Sequence, residues 1–288
     1  MVPAAFTLVD PQTGNLAFKI FSFEDNSYFD HILRNNYYSL IWVKEGSGSV
    51  KADFSSFDFE SNTLLAFSPY QPFMISAGSL KGWAIQFHPD FFCIHKHQAE
   101  VACNGVLFNN VYDPPFVVVD EKAAITFSGL IEQMKAEIKQ PGLAQSELLV
   151  SYLKIFLITA SRLRNSSVAD TPSALPREPF ILQTLKEAIE SNYREVRAPS
   201  DYAALLNISL KALAKITKSH FNKTLTDLIS ERVVIEAKRE LYLTNKTVKE
   251  IAFELGYPDE HYFSRFFKTN TAISPQLYRE TVGFGRAG

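Results

Sequence analysis

The side chains of histidine and cysteine could bind a metal, and the chain has six histidines and two cysteines. A metal-dependent barrel enzyme needs a His-x-His pair on a strand plus a carboxylate and a further histidine, because several ligands must converge on one ion. His95 and His97 follow the predicted strands, His31 and His88 are isolated, and no histidine lies near the turn at Gly46. Nucleophile-elbow, phosphate-loop and zinc-protease motifs are missing as well. We therefore expect no catalytic residue, no metal and no cofactor, with a metal-dependent enzyme as a remote alternative.

Composition sets the class of protein. The 288 residues suffice for about two domains, and 46% hydrophobic with 21% charged residues is typical of a globular chain. Cys93 and Cys103 are too few for a disulfide framework, so we expect them to be packing residues. No window of about 18 apolar residues occurs, and the N-terminus lacks the pattern of a secretory signal. The sequence predicts a cytoplasmic protein with no membrane partner.

The net charge of −2 is unevenly distributed. Residues 1–180 contain 13 Lys and Arg against 18 Asp and Glu, a balance of −5, whereas residues 181–288 contain 16 against 13, a balance of +3. A basic surface is what nucleic acid usually requires. The charge therefore permits DNA binding by the second half, with weak non-specific affinity.

Short apolar or alternating runs separated by turn residues fill the first 90 residues and predict a small antiparallel barrel. The runs are Tyr38–Val43, Ser49–Phe54, Thr63–Phe67, Phe73–Ile75 and Trp83–Phe87. Two helices follow, with apolar residues at helical spacing over 123–138 and 148–157. Their stripes either pack on their own domain or form a dimer face. The Ser-, Pro- and Arg-rich stretch 161–179 predicts a linker, which gives domains at 1–160 and 180–288.

The second half repeats one supersecondary pattern. Tyr202 to Ile216 predicts helix, tight turn and helix, with Asn207 in the turn and Ser209 as N-cap. Thr247 to Lys268 repeats it, with a Thr247/Glu250 capping box, Gly256 in the turn and Asp259 as cap. In this second unit the spacing predicts inward side chains at Tyr262, Phe263, Phe266 and Phe267. A long apolar-striped helix over 225–241 joins the two units.

The segment from about Asp201 to Arg279 resembles the DNA-binding domain of the AraC/XylS family of bacterial transcription regulators. The resemblance rests on Ile251-Ala252, Leu255-Gly256-Tyr257, Tyr262-Phe263-Ser264-Arg265-Phe266-Phe267-Lys268 and Ser274-Pro275-Gln276-Leu277-Tyr278-Arg279. The first half resembles the family's cupin-like sensor domain more loosely, through strand rhythm and the Phe87–Phe92 segment. The fold so implied is an α+β two-domain chain: a cupin-like antiparallel β-barrel with two following helices, then an all-α domain of two helix-turn-helix units joined by a long helix.

This resemblance implies a role for particular residues. The family's base-facing positions fall on Lys211, Ala214, Lys215, Glu260, His261, Ser264 and Arg265. Thr247, Lys218 and Lys268 suit phosphates. The sequence departs from the family at Thr217, where an aromatic residue is usual, and at Asn222 and Ala272, where glycine is usual after each recognition helix. Both of the latter positions would need left-handed backbone.

The function implied is a sequence-specific DNA-binding transcription regulator, with activation favoured, acting as a homodimer through the helices at 123–164. Its partners would be promoter DNA, a small-molecule effector and, for an activator, RNA polymerase. An aromatic effector pocket would draw on Tyr38, Trp42, Phe67, Phe73, Trp83 and Phe87, which equally suit an ordinary barrel core. A regulator with no small ligand, controlled by a protein partner or by its own abundance, stays open as the alternative.

Overall fold

The computed structural model describes residues 5–10, 14–169 and 180–283, with the side chains of 166–169 left out of the description. The described residues form two compact units, 5–110 with 114–169 and 111–113 with 180–283. No helix in these ranges is long and apolar enough to span a bilayer.

The first unit is built on two antiparallel sheets. One has six strands in the order β1-β2-β8-β3-β6-β9 and the other has three in the order β5-β4-β7. The strands are β1 Ala5–Val9, β2 Leu16–Phe23, β3 Tyr38–Glu45, β4 Gly48–Ala52, β5 Ser55–Phe59, β6 Thr63–Phe67, β7 Phe73–Ala77, β8 Lys81–Phe87 and β9 Phe116–Val118. All five strands predicted from the sequence are present.

Strand alternation gives the large sheet two apolar faces. One face carries Phe21, Ile41 and Leu65, which are buried in one cluster with Val50 and Ile75 of the small sheet. The opposite face is covered by three helices: α1 Gln98–Val101, α2 Glu121–Lys139 and α3 Gln145–Ala169. Because both faces are buried, the central strands are apolar throughout rather than alternating.

Helices α2 and α3 pack their apolar stripes inside the first unit. The Phe127 ring stacks on Phe156 with centroids 4.0 Å apart and meets Trp42 of β3 edge-on at 5.7 Å. Helix α3 also continues to Ala169, into the stretch predicted as a linker at 161–179. Arg164 contributes to this extension by donating to the carbonyls of Phe116 and Pro114. The rest of that predicted linker, 170–179, lies outside the described residues.

The described part of the second unit is helical. Its elements are α4 Phe180–Asn192, α5 Pro199–Leu205, α6 Leu210–Phe221, α7 Leu225–Leu243, α8 Val248–Glu254, α9 Glu260–Thr271 and α10 Pro275–Val282. Two short helix pairs, α5–α6 and α8–α9, pack on the long helix α7. Residues 111–113 belong to this unit: buried Lys223 donates to the Val111 carbonyl at 2.9 Å and to Glu231 at 2.6 Å. The predicted α+β two-domain fold class is confirmed.

Candidate nucleic-acid interface

The first helix pair, α5–α6, is closed by a two-part turn. Asn207 adopts the left-handed conformation with φ of 52°, which asparagine tolerates better than most residues. The Ser209 side chain then accepts the Ala212 N–H at 3.1 Å and so begins α6. Both local predictions are confirmed. Leu213, Thr217 and Phe221 form the buried stripe of α6.

The second pair, α8–α9, has stronger local signals. Thr247 and Glu250 form the predicted reciprocal capping box, with the Thr247 N–H donating to the Glu250 carboxylate at 2.7 Å. The backbone and hydroxyl of Thr247 lower the pKa of Glu250, because both donate to its charged form. Asp259 caps α9 by accepting the Tyr262 N–H at 2.7 Å.

Gly256 is required in the turn of the second pair. Its φ is +75°, and an added Cβ would lie 1.9 Å from the Arg194 carbonyl oxygen. The Arg194 carbonyl lies this close to Gly256 because the segment between α4 and α5 packs against the turn. From that segment Arg197 donates to the Tyr257 hydroxyl at 2.8 Å, and its guanidinium lies 4.1 Å from the ring centroid. Burial raises the pKa of Tyr257 and keeps its hydroxyl protonated.

Arg279 makes two hydrogen bonds that join α10 to α7 and to the segment that follows α7. Arg279 of α10 donates to the Leu241 carbonyl at 3.0 Å, which satisfies one acceptor of the last turn of α7. It also donates to the Lys246 carbonyl at 2.6 Å, in the segment between α7 and α8. Desolvation lowers the pKa of Arg279. The sequence motif contains this residue, but only the structure gives its partners.

Glu236 of α7 is a buried carboxylate surrounded by guanidinium groups. It lies 3.2 Å from Arg194, 3.2 Å from Arg232 and 2.8 Å from Arg239. Burial acts to raise the pKa of Glu236, but the three charges outweigh it and the net pKa is lowered. The ion cluster ties the segment before α5 to α7, and sequence spacing gives no sign of it.

The sequence-predicted base-facing residues all lie on the outer side of their helices. On α6, Lys211, Ala214 and Lys215 are exposed; on α9, His261 and Arg265 are exposed while Glu260 and Ser264 are half-exposed. The residues predicted for phosphates, Lys218, Thr247 and Lys268, are exposed as well. The structure thus brings the three predicted α6 residues onto one face and the four predicted α9 residues onto another.

Tyr262 corrects the sequence prediction for α9. Its side chain was predicted to point inward, yet it is 53% exposed, and Phe266 is only half-buried. Phe263, Phe267 and Thr271 form the buried stripe, and a spacing of four residues leaves Tyr262 and Phe266 on its flank. The Tyr262 ring lies 5.8 Å from Tyr257 and 5.9 Å from the Arg265 guanidinium. The three stripe residues of α9 correspond to Leu213, Thr217 and Phe221, the buried stripe of α6. Aligning the two helices was the signal that could have placed Tyr262 outside the stripe.

The positions directly after α6 and α9, where the sequence lacks the glycine usual in the AraC/XylS pattern, both have left-handed backbone. Asn222 follows α6 with φ of 53° and Ala272 follows α9 with φ of 68°, both left-handed. Thr217 is fully buried, and its hydroxyl donates to the Ala214 carbonyl at 3.1 Å. The expectation of left-handed backbone at 222 and 272 is confirmed.

The six aromatic residues predicted for an effector pocket lie in two separate clusters on the two sides of the large sheet. Five of them are on strands of that sheet, and Phe73 is on β7 of the small sheet. Tyr38, Trp42, Trp83 and Phe87 face the helices, whereas Phe67 and Phe73 stack in the core between the sheets with centroids 3.9 Å apart. Register explains the division, because Tyr38 pairs with Phe87 while Phe67 pairs with Ser39. The six therefore do not line one cavity.

Among the described residues, no three or more His, Cys, Asp or Glu side chains cluster in a way that could hold a metal ion. Cys93 and Cys103 are buried, and burial raises the pKa of the Cys103 thiol to about 12. A thiol with so high a pKa is a poor nucleophile.

Comparison with known proteins centres on the second unit. Residues 202–281 match a family model described as a helix-turn-helix domain. The raffinose operon transcriptional regulatory protein RafR of Pediococcus pentosaceus is 32% identical over 95 residues, covering 33% of this chain and 34% of RafR. The transcriptional activator RhaS of Enterobacter sp. (strain 638) is 25% identical over 150 residues, covering 52% of this chain and 51% of RhaS. The chain spans about a third to a half of the length of these relatives.

Solved structures give similar matches. ToxT from Vibrio cholerae O395 aligns with 92% of this chain and 98% of its own, at 15% identity and a TM-score of 0.42. The C-terminal domain of AraT, a response regulator from Geobacillus stearothermophilus, aligns with 39% of this chain and 93% of its own, at 25% identity and a TM-score of 0.37.

Proposed function

We propose that this chain, which belongs through its C-terminal helix-turn-helix domain to the AraC/XylS family of transcription regulators, reads promoter DNA with α6 and α9 as its two recognition helices. The observation that carries the proposal is the correspondence of the two outer faces. Lys211 and Lys215 on α6 occupy the positions that His261 and Arg265 occupy on α9, fifty residues later.

The chemistry of these faces suits a major groove. Arg265 is an exposed guanidinium that matches the two acceptors of a guanine edge, and Glu260 is an acceptor for the cytosine amino group. Lys218, Lys268 and Thr247 flank these groups and suit phosphates. The packing of both helix pairs on α7 supports a fixed separation between the two reading faces.

Selection of bound fragments from random or genomic DNA tests this function. The wild type is expected to enrich one sequence, and Arg265→Ala is expected to lose about 1 to 3 kcal/mol of specific binding at fixed salt with its fold unchanged. Lys122→Ala on α2 is the charge-matched control, since Lys122 is exposed and lies in the first unit. Equal operator affinity of wild type and Arg265→Ala would refute the role of α9.

Control by a small-molecule effector in the first unit is the second part of the proposal. An effector shifts the regulator only through different affinities for its two states. A thermal-shift screen is expected to find a compound that raises the melting point, since ligands of the native state stabilise it. A screen with no such compound would favour the alternative regulator, controlled by a protein partner or by abundance.

Activation and dimerisation complete the proposal. RhaS is named as an activator, and by analogy we place this chain with activators that contact RNA polymerase.

Dimerisation would use outward residues of α2 and α3, because the apolar stripes of these helices are already buried inside the unit. Ile125 and Ile155 are such residues, 71% and 48% exposed. Sedimentation is expected to show a dimer at micromolar concentration and a monomer for Ile125→Arg with Ile155→Arg. A wild type that sediments as a monomer, with and without DNA, would refute dimerisation.

A further inference from the structure

Residues 111–113 pack as part of the second unit, although the chain on both sides of them belongs to the first. The chain enters the second unit at Val111 and leaves it after Asp113, between residues 110 and 114 of the first unit. We refer to residues 111–113 as the strap. The strap contacts α4 and the C-terminal end of α6, which is one of the two proposed recognition helices.

The backbone of the strap is held by Lys223, which directly follows the Asn222 cap of α6. The Lys223 ammonium donates to the Val111 carbonyl at 2.9 Å and to the Glu231 carboxylate of α7 at 2.6 Å. Lys223 is only 6% exposed. A buried ammonium needs acceptors in place of its lost hydration, so the strap carbonyl helps to keep Lys223, and with it the end of α6, in position.

The Tyr112 side chain of the strap contacts the last residue of α6. Its ring lies 5.9 Å from the buried Phe221 ring, and the Lys186 ammonium of α4 lies 5.6 Å from the Tyr112 centroid and 5.9 Å from the Phe221 centroid. The Tyr112 hydroxyl donates to Glu190 of α4 at 2.8 Å. Burial first, and then the Glu190 charge, raises the pKa of Tyr112, so the hydroxyl stays a donor at physiological pH.

The anchor for the strap is particular to α6. An offset of fifty residues relates α6 to α9, and at this offset Phe221 and Lys223 are replaced by Thr271 and Ile273. The reading face of α6 stays exposed beside the strap, at Lys211, Ala214 and Lys215. The strap therefore supports α6 without blocking the face that is proposed to meet DNA.

Both ends of the strap are anchored in the first unit. Before the strap, the Ser68 hydroxyl donates to the Asn109 side chain at 2.9 Å. After it, the Arg164 guanidinium of α3 donates to the Pro114 carbonyl at 3.0 Å, and the Pro115 carbonyl accepts a backbone N–H of β6 at 2.9 Å. Because two successive prolines restrict backbone rotation, the strap has little slack. A shift of β6 or α3 would be transmitted to it.

We propose that the strap positions the C-terminal end of α6 for reading DNA, and that the first unit controls this reading through the strap. The inference goes beyond the proposed function by naming the route of control, and it rests on that function for the role of α6. An effector acts by this route when its affinity for the first unit differs between the attached and the released strap.

Hydrogen exchange of the full chain without DNA tests the strap itself. Tyr112→Ala is expected to raise the exchange rate of the amides at 218–221, the last turn of α6, about tenfold, because this turn loses a ring contact and opens more readily. Tyr112→Phe keeps the ring and loses one hydrogen bond, so it should raise the rate only about two- to threefold. Equal rates in the wild type and Tyr112→Ala would overturn the proposal.

Two controls separate positioning from a general loss of stability. The amides at 268–271, the last turn of α9, should exchange at the wild-type rate in Tyr112→Ala. Tyr152→Ala removes another half-buried tyrosine, from α3 in the first unit, and should leave the end of α6 unchanged. An equal increase at the ends of both helices, or the same effect from Tyr152→Ala, would overturn the positioning role.

The route from the first unit is tested at its anchor on α3. Arg164→Gln leaves every residue of the strap and of the second unit unchanged. If the anchor acts through the strap, the exchange rate at 218–221 should rise about two- to fivefold while the fluorescence of Trp42 and Trp83 shows the first unit still folded. An unchanged rate would overturn control through the strap.

Binding to the selected operator tests the effect on reading. Base pairs read by α6 are those whose replacement weakens the wild type and not Lys215→Ala, and base pairs read by α9 are found in the same way with Arg265→Ala. Tyr112→Ala is expected to lower discrimination at the α6 base pairs about three- to tenfold and to keep it at the α9 base pairs. Unchanged discrimination at the α6 base pairs, or an equal loss at both sets, would overturn the proposal.

Failure of the strap and failure of the proposed function give different results. Raised exchange at 218–221 in a Tyr112→Ala chain whose wild type enriches no DNA sequence would overturn the proposed function and support the strap contact. An operator that requires Lys215 and Arg265 but is bound equally by the wild type and Tyr112→Ala would support the proposed function and overturn the strap.

Discussion

Ala272 is the position where one substitution should stabilise the second unit. It ends α9 in left-handed backbone with φ of 68°, and its N–H donates to the Lys268 carbonyl at 2.8 Å. An L-residue with a Cβ in this conformation costs about 1 to 2 kcal/mol relative to right-handed backbone. Glycine adopts it without that cost.

The net gain of Ala272→Gly is smaller than the strain it removes. Glycine gives the unfolded chain more freedom, which costs about 0.4 to 1 kcal/mol. The Ala272 side chain is exposed, so deleting its methyl group removes little burial. Subtracting the middle of the entropy range, about 0.7 kcal/mol, from the middle of the strain range, about 1.5 kcal/mol, leaves a stabilisation of about 0.8 kcal/mol. Asn222→Gly should change stability by only a few tenths, because asparagine tolerates this backbone.

Urea unfolding followed by circular dichroism at 222 nm measures the change. Both tryptophans, Trp42 and Trp83, lie in the first unit, so their fluorescence identifies that unit's transition and distinguishes it from the second. The expected result is a higher urea midpoint for the second unit alone, with an unchanged slope. A midpoint for Ala272→Gly equal to or below that of the wild type would refute the strain argument.

Two other changes probe the frame of the second unit. Gly256→Ala should lower the free energy of unfolding by about 2 to 5 kcal/mol, because its Cβ meets the Arg194 carbonyl in left-handed backbone, and an unchanged urea midpoint would contradict this. Glu236→Gln should cost about 1 to 3 kcal/mol at pH 7. Since the folded pKa of Glu236 is lowered, its contribution is present above the unfolded pKa of about 4.3 and is lost as the pH falls through the folded value. The difference in the free energy of unfolding between the wild type and Glu236→Gln should therefore be smaller at pH 3 than at pH 7. An equal difference at both pH values would argue against the ion cluster.

Local chemistry made the helix-turn-helix units predictable. The capping box at Thr247, the cap at Ser209 and the left-handed turn at Asn207 each depend on a few neighbouring residues, and all three are present. The contacts that join distant segments have no comparable signature. Arg279 reaches the end of α7 and Glu236 gathers three arginines only after the chain has folded.

The first unit was less predictable because its strands are buried on both faces. β2 mixes buried and half-buried positions without alternation, so its sequence did not stand out as a strand. The aromatic residues could be assigned to strands, but the face on which each lies depends on register between strands. Trp42 pairs with Trp83 and Phe67 pairs with Ser39, and neither pairing is encoded locally.

A double-mutant cycle between protein and DNA measures whether Arg265 reads a base. In the selected operator, each guanine is replaced in turn, and affinities of the wild type and Arg265→Ala are measured at fixed salt. We expect one guanine whose replacement weakens binding by the wild type by about 1 to 3 kcal/mol and leaves binding by Arg265→Ala almost unaffected. Equal losses for both proteins at every guanine would contradict it.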